Sequence, residues 1–290
     1  ETIFSDIREN LPTYYEGEWV TGEESVNGRG GALFYMPEEF EKDILWTSNG
    51  KFTGMHSLMN KFDEGSGFAF FSGHGSPGYW GDQTPGIPGN RGPASVHGLV
   101  VSNLQSLPPF ISERPVWPMK ELKNTNKLPI TVVGGCHNSQ FNVSLLPSMM
   151  QYYLLLLLGR NNYMWTYFSA VPQCWSWYMV QLPETGSIAS IGNTGLGWGW
   201  EGEFCTVGAG DGWISSEFFR QYGDHYNDEN YEKLGQVYLQ TQTSYVNTFK
   251  DFTLPESWWL PDTGWDAIDQ QAVEQWVLLG DPSLQIGGYQ

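Results

Sequence analysis

The residue types that could carry chemistry in this chain are a histidine and a cysteine, each embedded in glycine. His74 lies between two glycines, and Cys136 directly follows two more. A thiol attacks a carbonyl carbon only as the thiolate, and an adjacent imidazole promotes its ionisation. Such a reaction also needs backbone N–H groups that stabilise the oxyanion, and glycines leave the backbone open to a substrate. The pattern predicts His74 and Cys136 as a catalytic pair, with the N–H groups of Gly75 and Cys136 forming the oxyanion hole.

Apolar segments of strand length lead into both residues. Residues 67–72 precede the histidine motif, and residues 128–133 precede the cysteine motif. Continuous apolar runs are typical of strands buried on both faces of a parallel sheet. Ligands bind at the carboxyl ends of strands in open α/β sheets, so neighbouring strands would bring His74 and Cys136 to one edge. Residues 186–192 predict a further buried strand.

The rest of the chain predicts helices and strands joined by many turns, as its 35 Gly and 17 Pro suggest. The apolar run at residues 152–158 is too short to span a bilayer and is predicted as a core element. Residues 77–128 are predicted as loops with one short helix at 100–104. Predicted helices cover residues 1–14, 36–44, 53–64 (with Thr53 as N-cap), 212–222 and 231–245, and further predicted strands cover 17–22, 44–47 and part of 276–286.

His137 is the competing base, because it directly follows Cys136. In an extended segment its side chain would point to the opposite face, which favours His74. A second interpretation remains open, in which Cys136 is a buried thiol and His74 a loop histidine without a catalytic role. The other histidines are interpreted as structural or surface residues: His56, His97 and His225.

The charge balance excludes some partners. The chain has 14 basic and 32 acidic residues and a net charge of −18. Nucleic acids and anionic membrane surfaces would be repelled, so neither is expected as a partner. The carboxylates could bind calcium, although a solvated acidic surface also explains them.

The three cysteines leave at least one thiol free. Cys174 and Cys205 could pair with each other or could both be buried thiols. No C-x-x-C spacing is present, so the sequence contains no zinc pattern and leaves the redox compartment open.

Four segments, in order, resemble the gingipain family of cysteine peptidases. Residues 71–76 (Phe-Ser-Gly-His-Gly-Ser) resemble its catalytic-histidine motif, and residues 124–142 resemble the segment that carries its nucleophile. Residues 185–198 resemble the strand and loop that wall its S1 pocket. Residues 279–284 (Leu-Gly-Asp-Pro-Ser-Leu) resemble the end of its catalytic domain.

This resemblance implies a caspase-like fold, an α/β/α sandwich with a mostly parallel central sheet, and endopeptidase activity on protein or peptide substrates. His74 would be the acid/base and Cys136 the nucleophile, with no cofactor for catalysis. It also implies a secreted protein made with a pro-segment or flanking domains, and a structural calcium ion. Residues 1–14 would be a connecting helix from an upstream region, residues 15–290 the catalytic domain, and about 145–172 an insertion.

The resemblance also implies residues of the S1 pocket. Glu23 and Glu24 lie in the acidic loop that would line it, and Trp198, or else Trp200, would match the pocket tryptophan. An acidic pocket would select Arg or Lys at the cleaved position. The loop differs in length from the family pattern, so ordinary surface acids and a core aromatic remain alternatives. A second source of pocket charge is the pair Glu201 and Glu203.

Two other functions fit parts of the sequence. The surplus of Trp and Tyr would suit a carbohydrate-active protein, in which paired carboxylates such as Glu201 and Glu203 do glycoside chemistry. An inactive peptidase-like binding domain is the other alternative, and the presence of both His74 and Cys136 argues against it.

Overall fold

The structure is a computed structural model, and it divides the chain into two compact units. We call the unit formed by Ile44–Leu196 with Gly288–Gln290 the sheet unit, and the unit formed by Glu1–Asp43 with Gly197–Gly287 the helix unit. The structure describes residues 13–15, 18–20, 31–47, 49–83, 95–102, 117–144, 146, 150, 154, 157, 171–199, 208–249 and 267–287.

Three parallel strands form the centre of the sheet unit. They are β3 (Phe68–Ser72), β7 (Ile130–Gly134) and β8 (Ala189–Asn193), with β7 between the other two. Every residue of β7 and β8 is buried, as expected for apolar runs covered on both faces. The strands predicted at 67–72, 128–133 and 186–192 are therefore confirmed.

An antiparallel hairpin sheet follows β3 directly. It consists of β4 (His74–Ser76), β5 (Tyr79–Gln83) and β6 (Ser95–Val100). The prediction of loops after residue 77 is wrong here, because Tyr79 pairs with Val100 and Asp82 with Val96 across these strands despite the many glycines. Val100 ends β6, so the predicted helix at 100–104 does not begin there, and residues 103–104 lie outside the described part. A 3-10 helix covers Pro118–Glu121.

Buried aromatic side chains join the two sheets of this unit. The Phe71 ring makes edge contacts with Trp80 and Trp175, with ring centroids 5.0 and 5.3 Å apart. Trp175 is fully buried, and its indole N–H donates to the carbonyl oxygen of Leu99 at 3.1 Å. Truncating a buried aromatic residue of this size costs about 3–5 kcal/mol. This cluster therefore stabilises the elements that carry His74.

Two helices cover the sheet unit's core. Helix α2 (Met55–Asp63) buries Met59 and Phe62, as the spacing at 53–64 predicts. Gly54, and not Thr53, is its N-cap, and the Thr53 N–H donates to the Ser57 hydroxyl at 3.0 Å. Helix α3 (Trp175–Gln181) follows the segment that was predicted as an insertion.

The segment at about 145–172 has exposed apolar residues. Leu146, Met150, Leu154 and Leu157 are helical, and they are between 57% and 84% exposed. At Leu154 and Leu157 the prediction of a core element is therefore wrong, because these side chains face solvent. Of the helices described, none is long and apolar enough to cross a membrane.

The helix unit contains a hairpin and several helices. The strand predicted at 17–22 is confirmed by β2 (Glu18–Val20). Thr13 and Tyr14 lie in β1 (Thr13–Tyr15), and the rest of the helix predicted at 1–14 lies outside the described residues. The helix predicted at 36–44 is wrong, because α1 (Ala32–Tyr35) ends before Met36, which is extended ahead of Pro37. The strand predicted at 44–47 is also wrong, because those residues pair with no strand. The helices predicted at 212–222 and 231–245 are confirmed. The elements are β1 (Thr13–Tyr15), β2 (Glu18–Val20), α1 (Ala32–Tyr35), α4 (Asp211–Asp224), a 3-10 helix at Glu229–Tyr231, α5 (Leu234–Phe249), α6 (Ala267–Gln275) and β9 (Trp276–Leu279).

Candidate active site

The parallel register of β3 and β7 aligns the two predicted catalytic residues. Ser72 pairs with Gly134, the last residue of β7, and the Gly73 N–H donates to the Gly134 carbonyl at 3.0 Å. His74 and Cys136 each lie two positions beyond this pair. They therefore occupy equivalent places at the carboxyl ends of neighbouring strands, as the sequence predicts.

The loops that carry these residues are in direct contact. We call residues 73–79 the histidine loop and residues 134–139 the cysteine loop. An ideal Cβ built on Gly75 would lie 2.7 Å from the carbonyl oxygen of Cys136, and one on Gly135 would lie 3.2 Å from the Gly75 nitrogen. Both distances are shorter than ordinary van der Waals contact, so only glycine allows the two backbones to approach this closely.

His74 and Cys136 are accessible, whereas His137 is not. The His74 side chain is exposed, and Cys136 is half-buried and forms no disulfide. His137 is buried, and its backbone N–H donates to the Gly195 carbonyl at 2.7 Å. Burial lowers the pKa of His137, and hydrogen bonds to Gln140 and to the Thr194 backbone oppose that shift. His137 therefore resists protonation, which makes it the poorer general base.

The turn at His137 holds a strained backbone. Its φ angle is +58°, in the left-handed region that non-glycine residues rarely adopt. This conformation costs about 1–2 kcal/mol, which the surrounding hydrogen bonds must offset. Ser139 N–H donates to the Asn193 carbonyl at 2.9 Å, so the end of β8 anchors the cysteine loop on the far side of the turn.

Asn138 connects the two loops, and sequence reasoning did not single it out. Its side-chain Nδ2 donates to the carbonyl oxygens of Ser76 at 3.0 Å and Tyr79 at 2.8 Å. The start of α3 makes a second connection, because the Trp175 N–H donates to the Pro77 carbonyl and the Ser176 N–H to that of Asn138. The only signal in the sequence is the position of this asparagine, two residues after the cysteine.

Residues 31–287 match the family model described as peptidase family C25. The chain belongs to peptidase family C25. This is the gingipain family of cysteine peptidases, so the resemblance inferred from the motifs is confirmed. The three parallel strands β3, β7 and β8 agree with the expected α/β fold with a mostly parallel sheet.

Two solved structures similar to this chain are gingipain structures. One is the Arg-specific cysteine proteinase gingipain R, with 15% identity, 81% of this chain and 36% of that chain covered, and a TM-score of 0.46. The other is the complex of gingipain R pro- and mature domains from Porphyromonas gingivalis, with 16% identity, 81% and 37% coverage, and a TM-score of 0.45. This member of the C25 family thus spans little more than a third of those chains. No curated protein matches it.

The residues expected to set specificity in this C25 chain are mostly outside the described part. Glu23 and Glu24 fall there, as do Trp200, Glu201 and Glu203. Trp198 is half-buried in the helix unit. Its indole N–H donates to Gln271 Oε1 at 3.2 Å, and its carbonyl accepts from the Asp211 N–H at 2.6 Å. These contacts fix Trp198 within its own unit, and its assignment to the pocket stays a prediction.

Cys174 behaves as a structural residue. It is a fully buried free thiol, and burial raises its pKa to about 11. Such a thiol is neutral and unreactive at physiological pH. Cys205 lies outside the described residues. Within the described residues, no group of three or more His, Cys, Asp or Glu side chains could hold a metal ion.

Proposed function

We propose that this chain is a secreted cysteine endopeptidase that hydrolyses peptide bonds through a Cys136–His74 dyad. The observation that carries the proposal is the meeting of the histidine loop and the cysteine loop at the carboxyl ends of β3 and β7. Membership of a peptidase family favours this function over carbohydrate chemistry.

The proposed reaction uses the two side chains in turn. His74 accepts the proton of the Cys136 thiol, and the thiolate forms a bond to the scissile carbonyl carbon. The N–H groups of Gly75 and Cys136 stabilise the resulting oxyanion. His74 then protonates the leaving amine as the C–N bond breaks, which leaves a thioester on Cys136. Water, deprotonated by His74, attacks the thioester and releases the acid product and the thiol.

The accessibility of the two residues supports these roles. The exposed His74 ring is free to meet a substrate, whereas the buried His137 ring has no such access. Cys136 is half-buried and forms no disulfide, as a nucleophile requires, whereas Cys174 is fully buried with a raised pKa. Of the described cysteines, Cys136 is therefore the one suited to nucleophilic attack.

Substitution of both residues tests the dyad. Fluorogenic peptides are incubated with the full chain, reductant and calcium, and initial rates are compared with those of Cys136→Ala and His74→Ala. We expect each substitution to lower kcat by at least about 10²–10⁴-fold. Matched controls are Cys174→Ala and exposed His56→Ala, which should keep near wild-type rates once corrected for folded protein. Equal cleavage by wild type and Cys136→Ala would overturn the proposal, and a folded wild type that cuts no peptide would indicate an inactive binding domain.

The finer parts of the proposal concern specificity, calcium and location. An acidic pocket lined by Glu23 and Glu24, with Trp198 as the pocket aromatic, would select Arg or Lys at the cleaved position. A peptide library profiled with wild type and Glu23→Gln/Glu24→Gln tests this: an unchanged preference for Arg and Lys would show that neither residue lines the pocket.

A structural calcium ion predicts that a chelator lowers the melting temperature of the protein. Secretion and removal of a pro-segment predict a shortened protein in the medium of the source cells.

A further inference from the structure

We propose that Asn138 is a positioning residue of this site, and that its side chain sets the place of the Gly75 N–H relative to Cys136. The inference rests on the proposed function, since it assigns Gly75 to the oxyanion hole. It concerns a residue that touches both loops of the site without itself reacting.

The hydrogen bonds of Asn138 fix the orientation of its amide. Its Nδ2 lies within 3.0 Å of the Ser76 carbonyl oxygen and 2.8 Å of the Tyr79 carbonyl oxygen. Two carbonyl oxygens can be satisfied only by N–H donors, so the nitrogen must face the histidine loop's turn. Both N–H groups of the amide are used, and the turn between β4 and β5 is held at two points.

The other side of the amide fills the space above two glycines. An ideal Cβ on Gly75 would lie 2.1 Å from Asn138 Oδ1, and one on Gly135 would lie 2.3 Å from it. The amide oxygen therefore occupies the place where side chains of these residues would be. Gly75 is confined between this oxygen and the Cys136 carbonyl, so its N–H has little freedom to move.

The backbone at Asn138 and at the next residue is held by two elements, α3 and β8. Its carbonyl accepts the Ser176 N–H of α3 at 2.9 Å, and the next residue donates to the Asn193 carbonyl at the end of β8. The side chain is completely buried. Because this backbone is held in place, the hydrogen bonds of the Asn138 side chain fix the histidine loop relative to β8 and α3. Oxyanion stabilisation depends on such preorganised donors, and losing one lowers kcat about 10²–10³-fold.

A matched residue exists at the other end of the same sheet. Asn124 is also buried, and its amide exchanges two hydrogen bonds with the Gly186 backbone, donating at 2.7 Å and accepting at 2.9 Å. It lies before β7, whereas Asn138 lies after it. Substitutions of Asn124 therefore measure how much stability is lost with a buried asparagine when the loops of His74 and Cys136 are unchanged.

The experiment compares Asn138→Asp and Asn138→Ser with Asn124→Asp and Asn124→Ser in the full chain at 10 °C. Aspartate keeps the shape of asparagine but places an acceptor against two carbonyls, and serine keeps at most one of the two hydrogen bonds. Four quantities are measured: kcat and KM for a peptide substrate, the inhibition constant of a peptide aldehyde that forms a tetrahedral adduct, and the rate of Cys136 alkylation by iodoacetamide. Rates are normalised to alkylatable Cys136.

We expect the Asn138 variants to lose about 10²-fold in kcat and a similar factor in aldehyde affinity, with KM and the alkylation rate changing less than about 3-fold. The Asn124 variants should melt at lower temperature but keep kcat. The proposal is overturned if Asn138 variants keep kcat, if both asparagines give the same kcat loss at equal loss of melting temperature, or if no Asn138 variant folds, since Asn138 would then serve folding alone. Failure of the proposed function gives a different result, because Cys136→Ala would then cleave as well as wild type.

Discussion

The two ends of the parallel strands β3, β7 and β8 are built for different purposes. At the amino end, several polar groups are paired: Asn124 bonds both backbone groups of Gly186, and the hydroxyls of Thr131 and Ser187 share a hydrogen bond of 2.5 Å. The Ile130 N–H donates to the carbonyl of Gly67 at 2.9 Å. At this end these groups bind one another.

The carboxyl end of the strands has accessible reactive side chains and incompletely hydrogen-bonded polar groups. His74 is exposed, Cys136 is half-buried and forms no disulfide, and His137 holds a left-handed backbone. Asn138 Oδ1 is buried and has no hydrogen-bond partner in the part of the chain that the structure describes. Strain and incomplete pairing cost stability and are found where function requires them. The contrast teaches that stability and chemistry are separated along the same three strands.

Substitution of one glycine at each end of the strands should give the largest difference in activity between the two ends. Gly75→Ala would place its Cβ 2.1 Å from Asn138 Oδ1 and 2.7 Å from the Cys136 carbonyl, so the loops must separate. Gly186→Ala would meet the Met179 carbonyl at 2.2 Å, and Gly186 has a φ angle of +83°. We expect both variants to lose about 2 kcal/mol or more of unfolding free energy.

Only the carboxyl-end variant should lose activity in its folded fraction. We expect Gly75→Ala to lower kcat about 10²–10³-fold and Gly186→Ala to leave kcat within about 3-fold. Urea unfolding gives the stability of each variant, and peptide hydrolysis per folded molecule gives kcat. Full kcat in folded Gly75→Ala would show that contact between the loops does not matter for the reaction.

Sequence patterns predicted the buried parallel strands but missed the antiparallel strands β5 and β6. Continuous apolar runs such as residues 128–133 identify β7 because burial on both faces leaves no polar positions. The strands β5 and β6 were missed because their glycines, Gly81 and Gly98, resemble turn signals. An ideal Cβ on Gly98 would lie 2.5 Å from the Trp80 ring, so this glycine makes room for an aromatic neighbour. Such a contact between strands is invisible along the chain.

The site was predictable where reactive residues follow buried strands. His74 and Cys136 could be placed because each follows a strand, and parallel strands end at one edge. Asn138 could not, because its partners Ser76 and Tyr79 are brought to it only by the fold. The exposed face at Leu157 was missed for a related reason, since an apolar segment alone does not tell what covers it.

The alkylation rates of the two described thiols, Cys136 and Cys174, test the predicted difference in their accessibility. At pH 8, a thiol with a pKa of about 11 is ionised in only about one molecule in a thousand, so buried Cys174 should react at least about 10²-fold more slowly than Cys136. Mass spectrometry of peptides after iodoacetamide treatment measures both sites. In denaturant the difference should disappear. Equal labelling of both thiols in the native protein would contradict the burial of Cys174.

The smallest expected effect on activity separates the two histidines at the carboxyl end. His137→Asn removes the rival base, and asparagine tolerates the left-handed backbone at this turn. We expect kcat to stay within about 10-fold of wild type, whereas His74→Asn lowers it about 10²–10⁴-fold. If His137→Asn lost as much activity as His74→Asn, the choice of base would be wrong.

The same variant, His137→Asn, should also change how the stability of the protein depends on pH. Burial holds the pKa of His137 below its ordinary value of 6.5, so below that pH the unfolded chain binds a proton that the folded chain resists. The imidazole therefore costs stability as pH falls from about 6.5 through the lower folded-state pKa. Melting temperatures at pH 7.5 and 5.5 measure this loss, and it should be smaller in His137→Asn than in wild type. An equal acid-induced loss in His137→Asn and wild type would contradict the effect of burial on this imidazole.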